Sequence, residues 1–252
     1  MLVKQVPDTW EPRELDPRSG FVVRGMAEPV LDEINERAIE VANSLRAHHG
    51  GPIYALTMGP QSAESALRRA LALGCDEAIH VSDERLAGAD VISTARVLVA
   101  ATATVNPDLV IAGNRSTDGA VGVVPTLVAE LLGFAYLGNL DEVTLADTAL
   151  SGLRAEEHVR LRVTTSLPAV VSVTELSEEA QIPNFMGLMK AKKKPLKTYS
   201  LVDLPLDEVG TRSELVSAQK RESRRGAGEI LPADDVAAAR LVAELTARGV
   251  VR

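Results

Sequence analysis

Four times before Gly133, a short apolar run gives way to a longer segment whose apolar residues recur at helical spacing. The runs are residues 1–6, 53–57, 78–81 and 109–112. The periodic segments carry Ile34, Ala38, Val41, Ala42 and Leu45; then Ala63, Ala66, Leu67, Ala70 and Leu71; then Val91, Ala95, Leu98 and Val105; and last Val124, Leu127, Val128, Leu131 and Leu132. A strand that is apolar at successive positions has no side to show to water, so its sheet needs cover on both faces. Amphipathic helices between the strands supply that cover. The expectation is an α/β fold with a mostly parallel sheet covered by helices on both faces.

Local signals agree with this reading. Asp32 and Glu33 open the first helix, where negative charge suits the helix dipole, and Gly50, Gly51 and Pro52 end it. A turn at residues 16–20 leads into a short β-rich stretch at 21–23. After Gly133 the pattern changes. Residues 140–145, 150–154 and 159–164 read as antiparallel strands, and 169–174 as a return to a buried one. Beyond Glu175 the chain is polar, without core periodicity until Ala238, Leu241, Val242 and Leu245 mark a terminal helix capped by Asp234 or Asp235. A stretch of about 60 residues without elements is uncommon inside a compact domain, so this part reads as an arm that reaches a partner. The resulting division is an α/β domain over 1–175, a loop and basic segment over 176–195, and a C-terminal arm and helix over 196–252.

Composition removes several function classes. A formal charge of −8 argues against a nucleic-acid-binding surface, which needs a basic stripe. The basic runs at Lys190, Lys192, Lys193, Lys194 and Lys197, and at Lys220, Arg221, Arg224 and Arg225, read on charge alone as solvated segments. Cys75 is the only cysteine, so neither an intramolecular disulfide nor a thiolate cluster can form. His48, His49, His80 and His158 show no metal-ligand spacing. The chain begins inside the first strand, with no signal-peptide pattern, and no apolar run approaches the ~20 residues of a membrane span. A cytoplasmic protein is expected.

Ligands of open parallel sheets bind beyond the carboxyl ends of the strands. Three loops lie there: Pro7–Asp8, Met58–Gly59–Pro60, and residues 113–124. The last reads Gly113–Asn114–Arg115–Ser116–Thr117–Asp118–Gly119–Ala120–Val121–Gly122–Val123–Val124. It offers glycines, hydroxyls and free amides at a helix N-terminus, which suits a phosphate. An ordinary turn with a helix cap accounts for the same residues. Neither GxGxxG nor GxxxxGK[ST] is present, and no nucleophile elbow or paired-carboxylate motif suggests catalysis.

Taken in order, the chain resembles the beta subunits of electron-transfer flavoproteins. The resemblance runs from Val3–Lys4–Gln5–Val6–Pro7–Asp8–Thr9 through Leu31–Asp32–Glu33 and Met58–Gly59–Pro60. It continues through Leu67–Arg68–Arg69–Ala70–Leu71–Ala72–Leu73–Gly74, Asp108–Leu109–Val110–Ile111–Ala112–Gly113 and Leu167–Pro168–Ala169–Val170–Val171–Ser172–Val173. Ile182–Pro183–Asn184 and Met189–Lys190–Ala191–Lys192–Lys193–Lys194–Pro195 complete it.

The resemblance implies a Rossmann-like, adenine-nucleotide-binding carrier subunit rather than an enzyme, paired with an alpha subunit that holds FAD. This subunit would hold a structural AMP, or a second, redox-active FAD if the pair is of the bifurcating type. Implied partners are dehydrogenases such as acyl-CoA dehydrogenases as electron donors and a quinone oxidoreductase as acceptor. Implied nucleotide contacts are Leu2, Leu31, Asp32, Met58 and residues 113–124. Asp118 is expected to order the loop rather than touch phosphate, since the two are both anionic. The family pattern has Gln-Thr-Gly or Gln-Val-Gly late in this loop, whereas Val123–Val124–Pro125 stands here and Pro125 removes one amide donor. Residues 175–189 match the family's recognition loop, with Ile182 as the implied docking anchor and Phe185, Met186 or Leu188 as alternatives. A reading of a different class is a stand-alone ATP-binding enzyme or regulatory protein of similar architecture.

Overall fold

Two parallel half-sheets share one short seam. The computed structural model describes residues 1–11, 14–26, 28–183, 185–206, 216–217 and 230–251. In chain order the elements are β1 (Gln5–Pro7), β2 (Pro29–Leu31), α1 (Glu33–His49), β3 (Tyr54–Met58), α2 (Glu64–Ala72), β4 (Glu77–Val81), α3 (Val91–Ala103), β5 (Leu109–Gly113) and α4 (Val124–Leu132). Then come β6 (Ala135–Leu140), β7 (Glu142–Ala146), β8 (Ala149–Ala155), β9 (Arg160–Ser166), β10 (Ala169–Val173), α5 (Phe185–Ala191), β11 (Leu196–Tyr199) and α6 (Ala237–Ala247). The chain divides into two units, Met1–Ser217 and Ala218–Arg252.

In the first unit one half-sheet has the order β11-β4-β3 and the other β5-β10-β6, all pairs parallel. Residues 1–3 lie between them. Leu2 bridges Leu56 in parallel and donates its amide to Ile111 O at 2.9 Å, while Leu56 donates to Met1 O at 2.8 Å. The strand order reverses at this seam, with β3 and β4 on one side and β5 on the other. Period-2 alternation explains the cover. Ala55, Ala78 and Ile111 face a core built with Ala38 and Ile39 of α1 and Leu67 and Leu71 of α2. Leu56, Ile79, Val110 and Ala112 face a second core built with Ala95 and Leu98 of α3 and Val128 of α4. Both faces are dry, as the continuous apolar runs require.

An antiparallel sheet, β7-β8-β9, completes this unit. Leu150 of β8 is fully buried with Leu140 in the first core.

Four local expectations change. The strand expected at 140–145 is two: β6 joins β10 in the parallel half-sheet, and Asp141 separates it from β7. The first run breaks at Lys4, so that β1 pairs antiparallel with β2, an element too short to leave a periodic signal. The stretch at 21–23 contributes one bridge, Leu15 with Val22.

The fourth change concerns the region past Glu175. It contains α5 and also β11, which pairs in parallel with β4. The basic run between them is not simply solvated. Lys194 Nζ donates to Leu71 O at 3.0 Å and Cys75 O at 2.5 Å, and Arg68 Nη1 donates to Ala191 O and Lys194 O at 3.3 and 3.1 Å. Lys194 therefore satisfies carbonyls at the C-terminal end of α2, where a cation is favoured. Cys75 is buried beside it, and burial pushes its thiol up to about 11, an unreactive state. The run Lys220, Arg221, Arg224 and Arg225 lies outside the described residues. In the second unit α6 leaves Leu241 and Val242 about half exposed.

Candidate functional site

Residues 113–124 leave the carboxyl end of β5 and enter α4, beside the seam where the strand order reverses. The loop's path is dictated at its first residue. A Cβ on Gly113 would lie 2.6 Å from Ile34 Cγ2, so only glycine lets α1 pack this closely on β5. Asn114 N then donates to Val173 O at 2.9 Å, tying the loop to β10. Ala120 and Gly122 take left-handed φ values of 53° and 71°. Left-handed residues of this kind occur where a loop exposes backbone amides to an anion. Pro125 sits in the first turn of α4, where its fixed φ suits the helix.

Two aspartates hold this loop. Asp32 is fully buried and accepts Thr117 N–H through Oδ2 at 2.9 Å. It stands at the N-cap position of α1 but caps the loop instead, since no side-chain bond runs to its own helix. Burial pushes its carboxyl up, against the opposing pull of Thr117. Asp118 is also buried, its side chain 1% exposed, yet it has two cations of its own. Lys4 Nζ contacts Oδ1 at 2.7 Å and Arg24 Nη2 contacts Oδ2 at 2.7 Å. Burial alone would raise this carboxyl, but the bonds from Lys4, Ser116 and Arg24 outweigh it and hold it well below the usual range.

The amides of Val121, Gly122 and Val123 donate to no described residue. Together with the adjoining helix start they are donors whose chemistry suits phosphate oxygens. On the α1 side of the loop lies a groove of about 650 Å³, lined by Thr9, Glu33, Arg37, Arg115, Thr117 and Glu175 among others. A second cavity, of about 490 Å³, lies at the opposite ends of β3 and β5, where Ile53 and Leu109 line it.

The structure brings Asp32 and residues 113–124 together. Leu2 and Leu31 are buried, in the two different cores, and Met58 packs against the core that contains Leu2. Lys4, Arg24 and Arg37 were not singled out from sequence, although a lysine that interrupts an apolar run is a usable signal for Lys4.

Residues 175–189 have a different character. Arg37 Nη1 donates to Ser177 O at 2.6 Å, and Ser44 Oγ donates to Glu178 Oε2 at 2.5 Å. At the other end Ala191 is buried. Between these ends Ile182, Phe185, Met186 and Leu188 are 89%, 76%, 64% and 43% exposed.

A doubly covered parallel sheet of Rossmann-like type, with a donor-rich loop at its switch point, is the class of protein that fold and site define. The family model for the electron transfer flavoprotein domain matches residues 20–204. The beta subunit of the electron transfer flavoprotein of Mycobacterium tuberculosis is 38% identical over 261 residues, covering 100% of this chain and 98% of that protein. Its counterpart from Mycobacterium leprae is 42% identical over 218 residues, 83% and 82% of the two chains. That of Bacillus subtilis is 33% identical over 233 residues, 92% and 90%. This chain belongs to the electron transfer flavoprotein family. It is thereby an electron-carrier subunit rather than an enzyme.

Proposed function

We propose that this chain is the beta partner of an FAD-carrying alpha subunit and holds one AMP by its phosphate at residues 113–124. The observation that carries the reading is the set of three amides, Val121, Gly122 and Val123, on a loop already fixed by Asp32 and Asp118. When bound, the nucleotide would supply structural cross-bracing between loop and sheet, with Leu2, Leu31, Asp32 and Met58 bordering it. Electron transfer itself would belong to the flavin of the alpha subunit. Residues 175–189 would dock a dehydrogenase, such as an acyl-CoA dehydrogenase. Ile182 is the most exposed anchor there, and Phe185, Met186 and Leu188 stand beside it. The apolar side of α6 would pack on the alpha subunit, and a quinone oxidoreductase would receive the electrons.

The second reading is a bifurcating-type subunit whose own site holds a redox-active FAD. Pro125, which removes an amide where the family pattern has none missing, is the observation that keeps it. Co-expression with the alpha subunit, followed by acid release and chromatography of the nucleotides, separates the two. One FAD and one AMP per heterodimer supports the first reading. Two FAD supports the second, and a single FAD with no other nucleotide removes both.

A further inference from the structure

We propose that Lys4 and Arg24 read the charge of the bound nucleotide: Asp118 neutralises one of them, and the remaining positive charge is taken up by the ligand's phosphate. This inference rests on the nucleotide reading above and adds side-chain charge to a loop otherwise described through its backbone. A single cation is enough to neutralise a buried carboxylate. Asp118 has two, and both are only partly covered, with side chains 43% and 47% exposed. Lys4 Nζ also donates to Ser116 Oγ at 3.2 Å. That occupies two of its three N–H groups, and the third has no partner among the described residues. The same nitrogen lies 4.0 Å from where a Cβ on Gly119 would stand, which is on the loop itself.

The groove alongside does not cancel the surplus. Its charged lining is Glu33 and Glu175 against Arg37 and Arg115, a neutral set. The other carboxylate holding this loop, Asp32, is pushed toward its neutral form by burial. It therefore does not fully cancel the positive charge that Lys4 and Arg24 bring to the loop, and that charge favours a phosphate over the uncharged nucleoside.

The test uses the heterodimer stripped of nucleotide, with AMP and adenosine as probes. Lys4→Met and Arg24→Met should each weaken AMP binding about tenfold at low salt, a size set by one charge at short range through a partly wet medium. Adenosine binding should stay unchanged. Each variant keeps one cation on Asp118, so the loop should remain folded, and Lys4→Arg should restore AMP affinity. High salt should shrink the difference. If AMP and adenosine weaken together, the cations are structural and the inference fails. If neither weakens, it fails as well. A wild-type complex that binds neither AMP nor FAD defeats the nucleotide reading itself. If FAD is the ligand, the same comparison of FAD with riboflavin decides the role of the charge.

Discussion

The loop at 113–124 and the segment at 175–189 solve opposite problems with the same chain. The first buries its carboxylates and holds them internally, through Thr117 on one oxygen of Asp32, whose other oxygen is buried without a partner among the described residues, and through two cations on Asp118. The second secures its ends on α1 and α2 and leaves its apolar side chains in water. A site that must hold a small anion gains from being fixed beforehand. A surface that must meet a large partner retains its apolar area until the partner covers it. Residues of the first region should therefore matter to folding and ligand together, and those of the second to docking alone.

The largest effect that could break this contrast is at the start of the loop. Gly113→Val would drive side-chain atoms into Ile34, and overpacking of this kind costs about 1–3 kcal/mol or more. Thermal unfolding of the complex should show that loss together with a fall in nucleotide content; an unchanged melting temperature would mean the loop is looser than described. Next is Ile182→Ala, expected to weaken dehydrogenase docking by about 2 kcal/mol if it is a hot spot. Stability should move by less than about 0.5 kcal/mol. Stopped-flow reduction by the dehydrogenase would check this, and equal transfer rates would pass the anchor role to Phe185, Met186 or Leu188.

Lys194→Met tests how the chain just past the second region is held on α2. Two carbonyls of the α2 end lose their donor, at a cost of about 1–2 kcal/mol seen in denaturant unfolding. The smallest effect is at Asp32. Its folded-state carboxyl is raised by burial, so its contribution to stability is fully present below the ordinary carboxylate range and is lost as pH rises through the raised value. Asp32→Asn keeps an acceptor for Thr117 and removes the buried charge. The variant should therefore be more stable than wild type at neutral pH, with the gain vanishing in acid. A gain that grew in acid would contradict the assignment.

Most of the layered core was legible because residues such as Leu109, Val110 and Ile111 cannot be half exposed, and their run admits only a covered strand. The parts missed lacked such a pattern. β11 is Leu-Lys-Thr-Tyr, with its middle residues exposed, and is a strand because β4 offers it an edge. Lys194 reads as one charge in a run of like charges, and its two carbonyl partners come from α2 and the turn that follows it. The loop at 113–124 was visible as glycines and hydroxyls after an apolar run. Its two cations were not, since Lys4 and Arg24 meet Asp118 across a sequence separation of 114 and 94 residues.

For the docking role proposed for residues 175–189, their anchoring at both ends sets a length scale. With Ser177 held by Arg37 and Ala191 held through Arg68, the intervening strap spans two fixed posts. A partner that grips its crest meets a tethered loop whose closure entropy has already been lost in folding. Lengthening the strap with glycines, leaving every side chain intact, would enlarge the volume the crest explores and dilute it from the partner's viewpoint. Recognition here would then depend on how short the tether is as much as on which residue it carries.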